Sequence, residues 1–514
     1  MGDIKINLNP QVPAIPKFED KTKIDVRYMV IDPYVSIHIY YDDKTGEVIY
    51  DVEEPILTEE EKSDLDRIEQ AIREVVNINM IGGDNTEEGL IDYIDKTARL
   101  IISELGMNIE EDAYKNMFYY LYRNFIGLNE IDPMMHDYFI EDLECNGMGE
   151  NMYIVHRNFR NIKTTVKFND MEKLSSFVEK LAQKTGRYIS YANPILDGSL
   201  PDGSRVNATY TQDITSKGPT FTIRKFTKTP WTPIQLLSFR ELSPEMLAYL
   251  WIAMQYQSNL MIVGGTASGK TTLLNAIAFF IPQENRVVSI EDTRELNLPR
   301  ENWLPSVVRT GVAGAGAAGE IDMFSLLKAS FRQNPDYVIV GEVRGKEASV
   351  LFQGMASGHA SISTMHGDSA ESIVRRLETP PISLSPMLVN SLDMMAIMTH
   401  AIVNGQETRR LREISEIVEI RQDGTTVTNT PFKWNPADDK FYSSPTVKLF
   451  EKISEKYGIT PENIRKEFQI RTRLLYALFQ GKVFGYDDLQ RIINDYAKKP
   501  AEVLAKYLPA NAPQ

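Results

Sequence analysis

Between Leu260 and Thr272 the chain reads LMIVGGTASGKTT, and Gly264–Thr271 fit G-x-x-x-x-G-K-[ST]. Gly264, Gly265 and Gly269 let the backbone bend until its N–H groups face one point, with Thr266, Ala267 and Ser268 completing the cradle. The N-terminus of the helix that follows adds positive potential at the same place. Lys270 is expected at the β- and γ-phosphates of a nucleotide, and the Thr271 hydroxyl at Mg2+. The bland alternative is a glycine-rich turn with a chance lysine. The flanks argue against it: Leu260–Val263 read as a short buried strand, and Leu273, Leu274, Ile277 and Ala278 recur at helical spacing.

Three further clusters carry chemistry. IEDTREL, residues 290–296, sets Glu291, Asp292 and Glu295 at a strand end, where ligands gather in doubly wound sheets. DYVIVGEVR, residues 336–344, runs four apolar residues into Gly341 and Glu342. A carboxylate there can hold Mg2+ through water or orient a water on the γ-phosphate. GHASISTMHG, residues 358–367, holds His359 and His366, two of six histidines. Each also has a plain structural reading. Acidic strand ends are often helix caps, and paired histidines often serve only as hydrogen-bonded structure. Zinc at His359 and His366 lacks a third ligand at suitable spacing. Arg205 and Arg224 each sit in or beside a short strand-like run. Taken alone, they read as solvated surface arginines.

The elements that must position these residues alternate strand and helix after residue 236, which argues an α/β core with a mainly parallel sheet. Strand runs are expected at Leu260–Val263, Val287–Ile290 and Tyr337–Val340, with Met246–Tyr256 as a helix. Residues 1–23 are Pro-rich and polar and are expected to form a flexible arm. Residues 24–226 read as a mixed α+β N-terminal domain: strands over 24–52, a helical bundle near 58–126 opened by a Thr58/Glu61 capping box, then an α+β lobe. TKTPWTP marks a linker over 227–235. The core is expected over 236–445, with a hairpin at 417–442, and a helical segment over 446–514. The glycine–alanine tail of 302–320 reads as a mobile loop. Its Gly314-x-Gly316-x-x-Gly319 spacing is a weak dinucleotide signal outside a Rossmann context.

Composition narrows the classes. The 514 residues carry a formal net charge of −15, which disfavours a nucleic-acid substrate. The single cysteine, Cys145, excludes an intrachain disulfide and a Cys-cluster zinc site and fits a reducing cytosol. The first residues lack the apolar run of a secretion signal. Met246–Val263 is uncharged, but Gln255, Gln257, Ser258 and Asn259 make it a poor membrane span. A GTPase would carry [NT]KxD after the glycine loop; Thr22-Lys23-Ile24-Asp25 has the letters but lies far upstream.

In order, GGTASGKTT, IEDTREL, IVGEVRGKEA and GHASISTMHGDS resemble the Walker A, Asp box, Walker B and His box of the type II/type IV secretion ATPases. ENWLPSVVRTG and the stretch from Glu320 to Ala348 are similar to the archaellum motor branch. The resemblance spans roughly Ile131 to Ile420. It implies a RecA-like, Mg2+-dependent ATPase working as a homo-hexamer with an integral membrane platform protein and cytoplasmic accessory proteins, in the cytoplasm at the inner face of the cell membrane. An archaeal type IV pilus or type II-like secretion ATPase is the alternative; a RecA-like nucleic-acid translocase is more distant. Residue by residue, it implies ATP phosphates at Gly264–Thr271, Thr272 near the α-phosphate, and Mg2+ at Thr271 and Glu342. Glu291 would polarise the attacking water, and His366, with His359 as a second candidate, would contact the γ-phosphate region. Arg205 and Arg224 resemble the N-lobe arginines that reach the nucleotide.

Overall fold

The computed structural model describes residues 6–508 apart from residues 9, 14, 17, 19, 76–86, 227–228, 299, 310–318, 404 and 422–424. Contacts divide the chain into two units, Met1–Phe226 and Thr227–Gln514.

The first unit is built on a nine-stranded sheet of β1 (Asp25–Ile31), β2 (Val35–Asp42), β3 (Glu47–Glu53), β4 (Ile140–Cys145), β5 (Asn151–His156), β6 (Arg160–Lys167), β7 (Ile195–Ser199), β8 (Arg205–Thr209) and β9 (Thr220–Arg224). Their order is β1-β2-β3-β6-β5-β4-β9-β8-β7. Every pairing is antiparallel except β3 with β6. The helices Glu59–Val75, Glu87–Glu104 and Glu111–Leu121 share a separate small core around Leu65, Ile68, Ile94, Ile101 and Phe118. The Thr58/Glu61 box closes the first of them: the Thr58 N–H donates to Glu61 at 2.7 Å, and the Glu61 N–H donates to Thr58 Oγ1 at 3.3 Å.

The N-terminal arm is docked where it is described. Asn7 bridges to Asp32, and Ile6, Leu8, Ile15 and Phe18 pack on the first unit's core. Those four apolar side chains, scattered among prolines, hide from any periodicity test.

The second unit carries a second nine-stranded sheet: β10 (Leu260–Gly264), β11 (Val287–Glu291), β12 (Trp303–Val307), β13 (Tyr337–Val340), β14 (Ala360–His366), β15 (Met394–Val403), β16 (Gln406–Ile420), β17 (Thr426–Asn435) and β18 (Lys440–Ser443). The order is β12-β11-β13-β14-β10-β15-β16-β17-β18. The six strands from β12 to β15 pair in parallel, and the rest form an antiparallel meander. The α/β core expected from the sequence is therefore present. Along β10, Leu260 and Ile262 enter one core while Met261 and Val263 enter the other, the period-two alternation of a strand covered on both faces.

Several boundaries differ from expectation. Trp303–Val307 lies in the stretch read as loop, yet it forms β12; its Pro305 is tolerated because β12 is an edge strand. Residues 310–318 of that loop, with most of its glycine spacing, lie outside the described residues. Of the expected linker, residues 227–228 also lie outside them, and Pro233–Ser238 is a helix capped reciprocally by Thr232 and Gln235. The C-terminal helices Lys448–Tyr457, Pro461–Gln480, Tyr486–Lys498 and Pro500–Tyr507 bury Phe450, Leu474, Leu478 and Ile493 in the same core as β10. Among the described residues, no helix is long and apolar enough to cross a membrane.

Candidate functional site

The site gathers at the carboxyl ends of the parallel strands. β10 ends at Gly264, the loop turns through residues 265–269, and a helix starts at Lys270 and runs to Ala278. Two positions show why the loop takes its sequence. A β-carbon on Gly264 would lie 2.4 Å from Ser268 Oγ and 2.9 Å from the Met398 carbonyl, so the loop can double back over its strand only with glycine there. Gly269 has φ +94°, a left-handed conformation that glycine adopts at little cost.

The Lys270 ammonium donates to the carbonyls of Gly264 at 3.1 Å and Gly265 at 2.8 Å. Burial lowers its pKa, opposed by the charges of Glu342 and Glu295. The first turn of the helix, with Thr271 and Thr272, presents N–H groups that have no acceptor within the helix. A β-carbon on Gly265 would meet open space. Backbone donors, an ammonium and open room fit a polyphosphate; Thr271 and Glu342 offer a hydroxyl and a carboxylate, the oxygen donors that Mg2+ takes.

Neighbouring strands bring in the other groups. Gly264 pairs with His366 on β14 and with Met398 on β15. The Gly367 N–H donates to the Gly264 carbonyl at 3.3 Å. His366 therefore stands beside the loop. His359 precedes β14 at its other end, and a strand of this length carries it about 20 Å away. There its ring packs edge-on against Phe331. Its expected role near the γ-phosphate is not supported, because strand rise separates the two histidines.

Glu291 closes β11 and is 1% exposed. One carboxylate oxygen accepts the N–H groups of Glu295 and Leu296, each at 2.9 Å. The other is buried with no protein partner. Burial pushes this carboxyl up to about 7 despite those two bonds. Glu342 follows β13 and accepts Arg344 at 2.5 Å.

Arg205 and Arg224 belong to the first unit, where they stand opposite each other on β8 and β9. Arg205 pairs with Asp197 at 3.0 Å and Arg224 with Asp142 at 2.9 Å.

Of β16, which lies beyond β15 in the sheet, the hairpin expected over 417–442 holds only the last residues; the arginine-bearing part went unread. Arg409 Nε donates to the Ala267 carbonyl at 3.0 Å, and Arg412 donates to the Asp368 carbonyl at 2.6 Å. A cavity of about 540 Å³ opens beside the loop between Thr266, His366, Thr399, His400 and Arg412. The TRRLRE run of residues 408–413 was the available signal, a concentration of arginine on a strand that pairs with β15.

Residues 145–431 match the family model described as Type II/IV secretion system protein, and the chain belongs to that family. An uncharacterized protein of Methanocaldococcus jannaschii is 35% identical over 424 residues, 81% of this chain and 75% of its own length. The type IV secretion system protein PtlH of Bordetella pertussis is 32% identical over 229 residues, 40% of this chain and 67% of that one. Among solved structures, the Legionella pneumophila ATPase DotB has a TM-score of 0.41 at 16% identity, covering 71% of this chain and 94% of its own. The pilus retraction motor PilT with bound ADP has a TM-score of 0.39 at 16% identity, covering 74% and 97%.

Proposed function

We propose that the chain is a Mg2+-dependent ATP hydrolase working as a homo-hexameric motor of the archaellum, at the inner face of the cell membrane with a membrane platform protein and cytoplasmic accessory proteins as partners. The observation that carries the ATPase reading is the convergence of Lys270, Glu291, Glu342 and His366 on one end of one sheet. A second reading, a motor for secretion or pilus assembly, is favoured by relatives whose names tie them to type IV secretion and conjugal transfer.

The N–H groups of the loop and helix start bind the phosphates, and Lys270 trades its two loop carbonyls for phosphate oxygens. Thr271 and Glu342 would hold Mg2+, which neutralises charge on the phosphates when bound. Thr272 lies toward the α-phosphate. The unpartnered oxygen of Glu291 accepts the proton of, or orients, the attacking water, and its buried setting keeps bulk water from competing. His366 contacts the γ-phosphate side. Arg205 and Arg224 resemble the N-lobe arginines that supply guanidinium charge to a transferring phosphoryl group. Phosphate release from Mg-ATP by the purified chain tests the reading. Wild type should turn over and Lys270→Ala should not; equal turnover by both would overturn it.

A further inference from the structure

Glu241 is a buried carboxylate with no place in the proposed chemistry. It follows the helix Pro233–Ser238, is 7% exposed, and its Oε2 is buried with no protein partner. Its backbone is held at both ends: its N–H donates to the Leu236 carbonyl at 3.0 Å, and its carbonyl accepts the Leu411 N–H from β16 at 2.6 Å. That anchoring aims the side chain at the phosphate loop. A β-carbon built on Gly269 would lie 3.9 Å from Glu241 Oε2 and 3.3 Å from Arg409 Cδ. Arg409 in turn donates to the carbonyl of Ala267. Ala267, at φ +56°, and Gly269, at φ +94°, are the two left-handed residues that bend this loop. Glu241 and Arg409 thus address both bends.

The side of the loop they address decides what they do. In a phosphate loop the N–H groups face the anion and the carbonyls face away. A guanidinium donating to the Ala267 carbonyl is on the far side from a bound phosphate. Burial pushes this carboxyl up to about 7 against the neighbouring charges of Arg409 and Arg410, so it carries its charge above neutral pH. Arg410 is committed to Asp439, with bonds of 2.9 and 3.2 Å. Arg409 is the arginine whose position the Glu241 charge can set.

We infer that Glu241 and Arg409 are positioning residues of the phosphate loop: Arg409 holds the Ala267 carbonyl, the Glu241 carboxylate backs Gly269 and attracts that guanidinium without hydrogen-bonding it, and together they fix the bend that receives a nucleotide. The inference rests on the nucleotide-binding reading above. Neither residue touches phosphate. Their removal loosens a preformed cradle, so the loss falls on nucleotide affinity and KM more than on kcat.

The test uses the full chain and the fluorescent nucleotide mant-ADP with Mg2+, comparing wild type, Glu241→Gln, Arg409→Gln and the double variant. At pH 8, where Glu241 is ionised, Arg409→Gln should weaken mant-ADP binding about tenfold, the size of one lost charge-assisted hydrogen bond, and Glu241→Gln, which removes a charge and no hydrogen bond, should weaken it in the same direction. The ATP KM should rise in step while kcat falls less. The double variant should bind no more weakly than the worse single one, because the two act as a unit. Arg409 is partly exposed, so Arg409→Gln carries the test if Glu241→Gln fails to fold. Wild-type affinity in folded single variants, or losses that add in the double variant, would overturn the pairing. Wild type that binds no mant-ADP would instead defeat the nucleotide reading itself.

Discussion

Glu291 and Gly341 lie in contact across adjacent strands: a β-carbon built on Gly341 would come within 3.2 Å of Glu291 Cγ. The glycine before Glu342 is therefore space reserved for the buried carboxylate. Gly341→Ala should shift Glu291 by a few tenths of an ångström against its two N–H donors and lower kcat several-fold, less than the roughly hundredfold of a 1 Å misplacement. Nucleotide binding should persist, since the loop Gly264–Thr271 is untouched. Hydrolysis and mant-ADP titration on the same sample separate the two effects.

Burial holds the Glu291 carboxyl near 7, so its ionised fraction changes across neutral pH. A carboxylate that accepts a proton must be charged, and turnover should rise as pH increases through about 7. Glu291→Gln should give a low, flat profile. Stability runs the other way. A glutamate raised from its ordinary 4.5 contributes fully while neutral, below about 4.5, and loses that contribution as pH rises through the folded value. Glu291→Gln should therefore raise the thermal midpoint at pH 8 relative to wild type. A lower midpoint would contradict the burial argument.

His156, at the end of β5, is fully buried, and its Nδ1 accepts the N–H groups of Asn158 and Phe159 at 3.1 and 3.3 Å. Burial depresses its pKa from the ordinary 6.5 to about 4. The stability gained from the neutral ring is complete above 6.5 and is lost as pH falls toward 4. Thermal melts of the full chain between those values should show a steeper acid loss for wild type than for His156→Gln. Parallel curves would contradict it.

Arg410, 3% exposed, forks onto Asp439, which also accepts the Trp434 indole N–H at 2.8 Å. Arg410→Ala leaves Asp439 with the Trp434 indole and with Arg240 at 3.5 Å, and should cost about 2–3 kcal/mol in urea unfolding, the scale of lost hydrogen bonds to a charged group. A cost under about 1 kcal/mol would mean that Asp439 is solvated in the folded state.

The legible parts of this molecule are those where chemistry and local pattern coincide. Leu260–Ala278 carries strand, glycine loop and helix in one contiguous run, so these three elements could be placed from the sequence. Glu291 and His366 were legible because each ends a hydrophobic strand. His359 was misplaced because neighbours in sequence become opposite ends of a strand in space. Glu241 and Arg409 were invisible for a deeper reason. They meet at Gly269 from a turn and from a meander strand far away in the chain, and no local periodicity records such a meeting. β12 was hidden by Pro305, which an edge position tolerates. The docked arm was hidden by having too few apolar residues to show a period.

The proposed chemistry is ATP hydrolysis at this sheet end within a ring. The most direct measurement follows phosphate release by wild type, Glu342→Gln and Arg205→Ala, with mass by light scattering in the presence and absence of a non-hydrolysable ATP analogue. Turnover is expected in wild type alone, with a nucleotide-promoted hexamer. Turnover by a strict monomer, indifferent to Arg205, would contradict it.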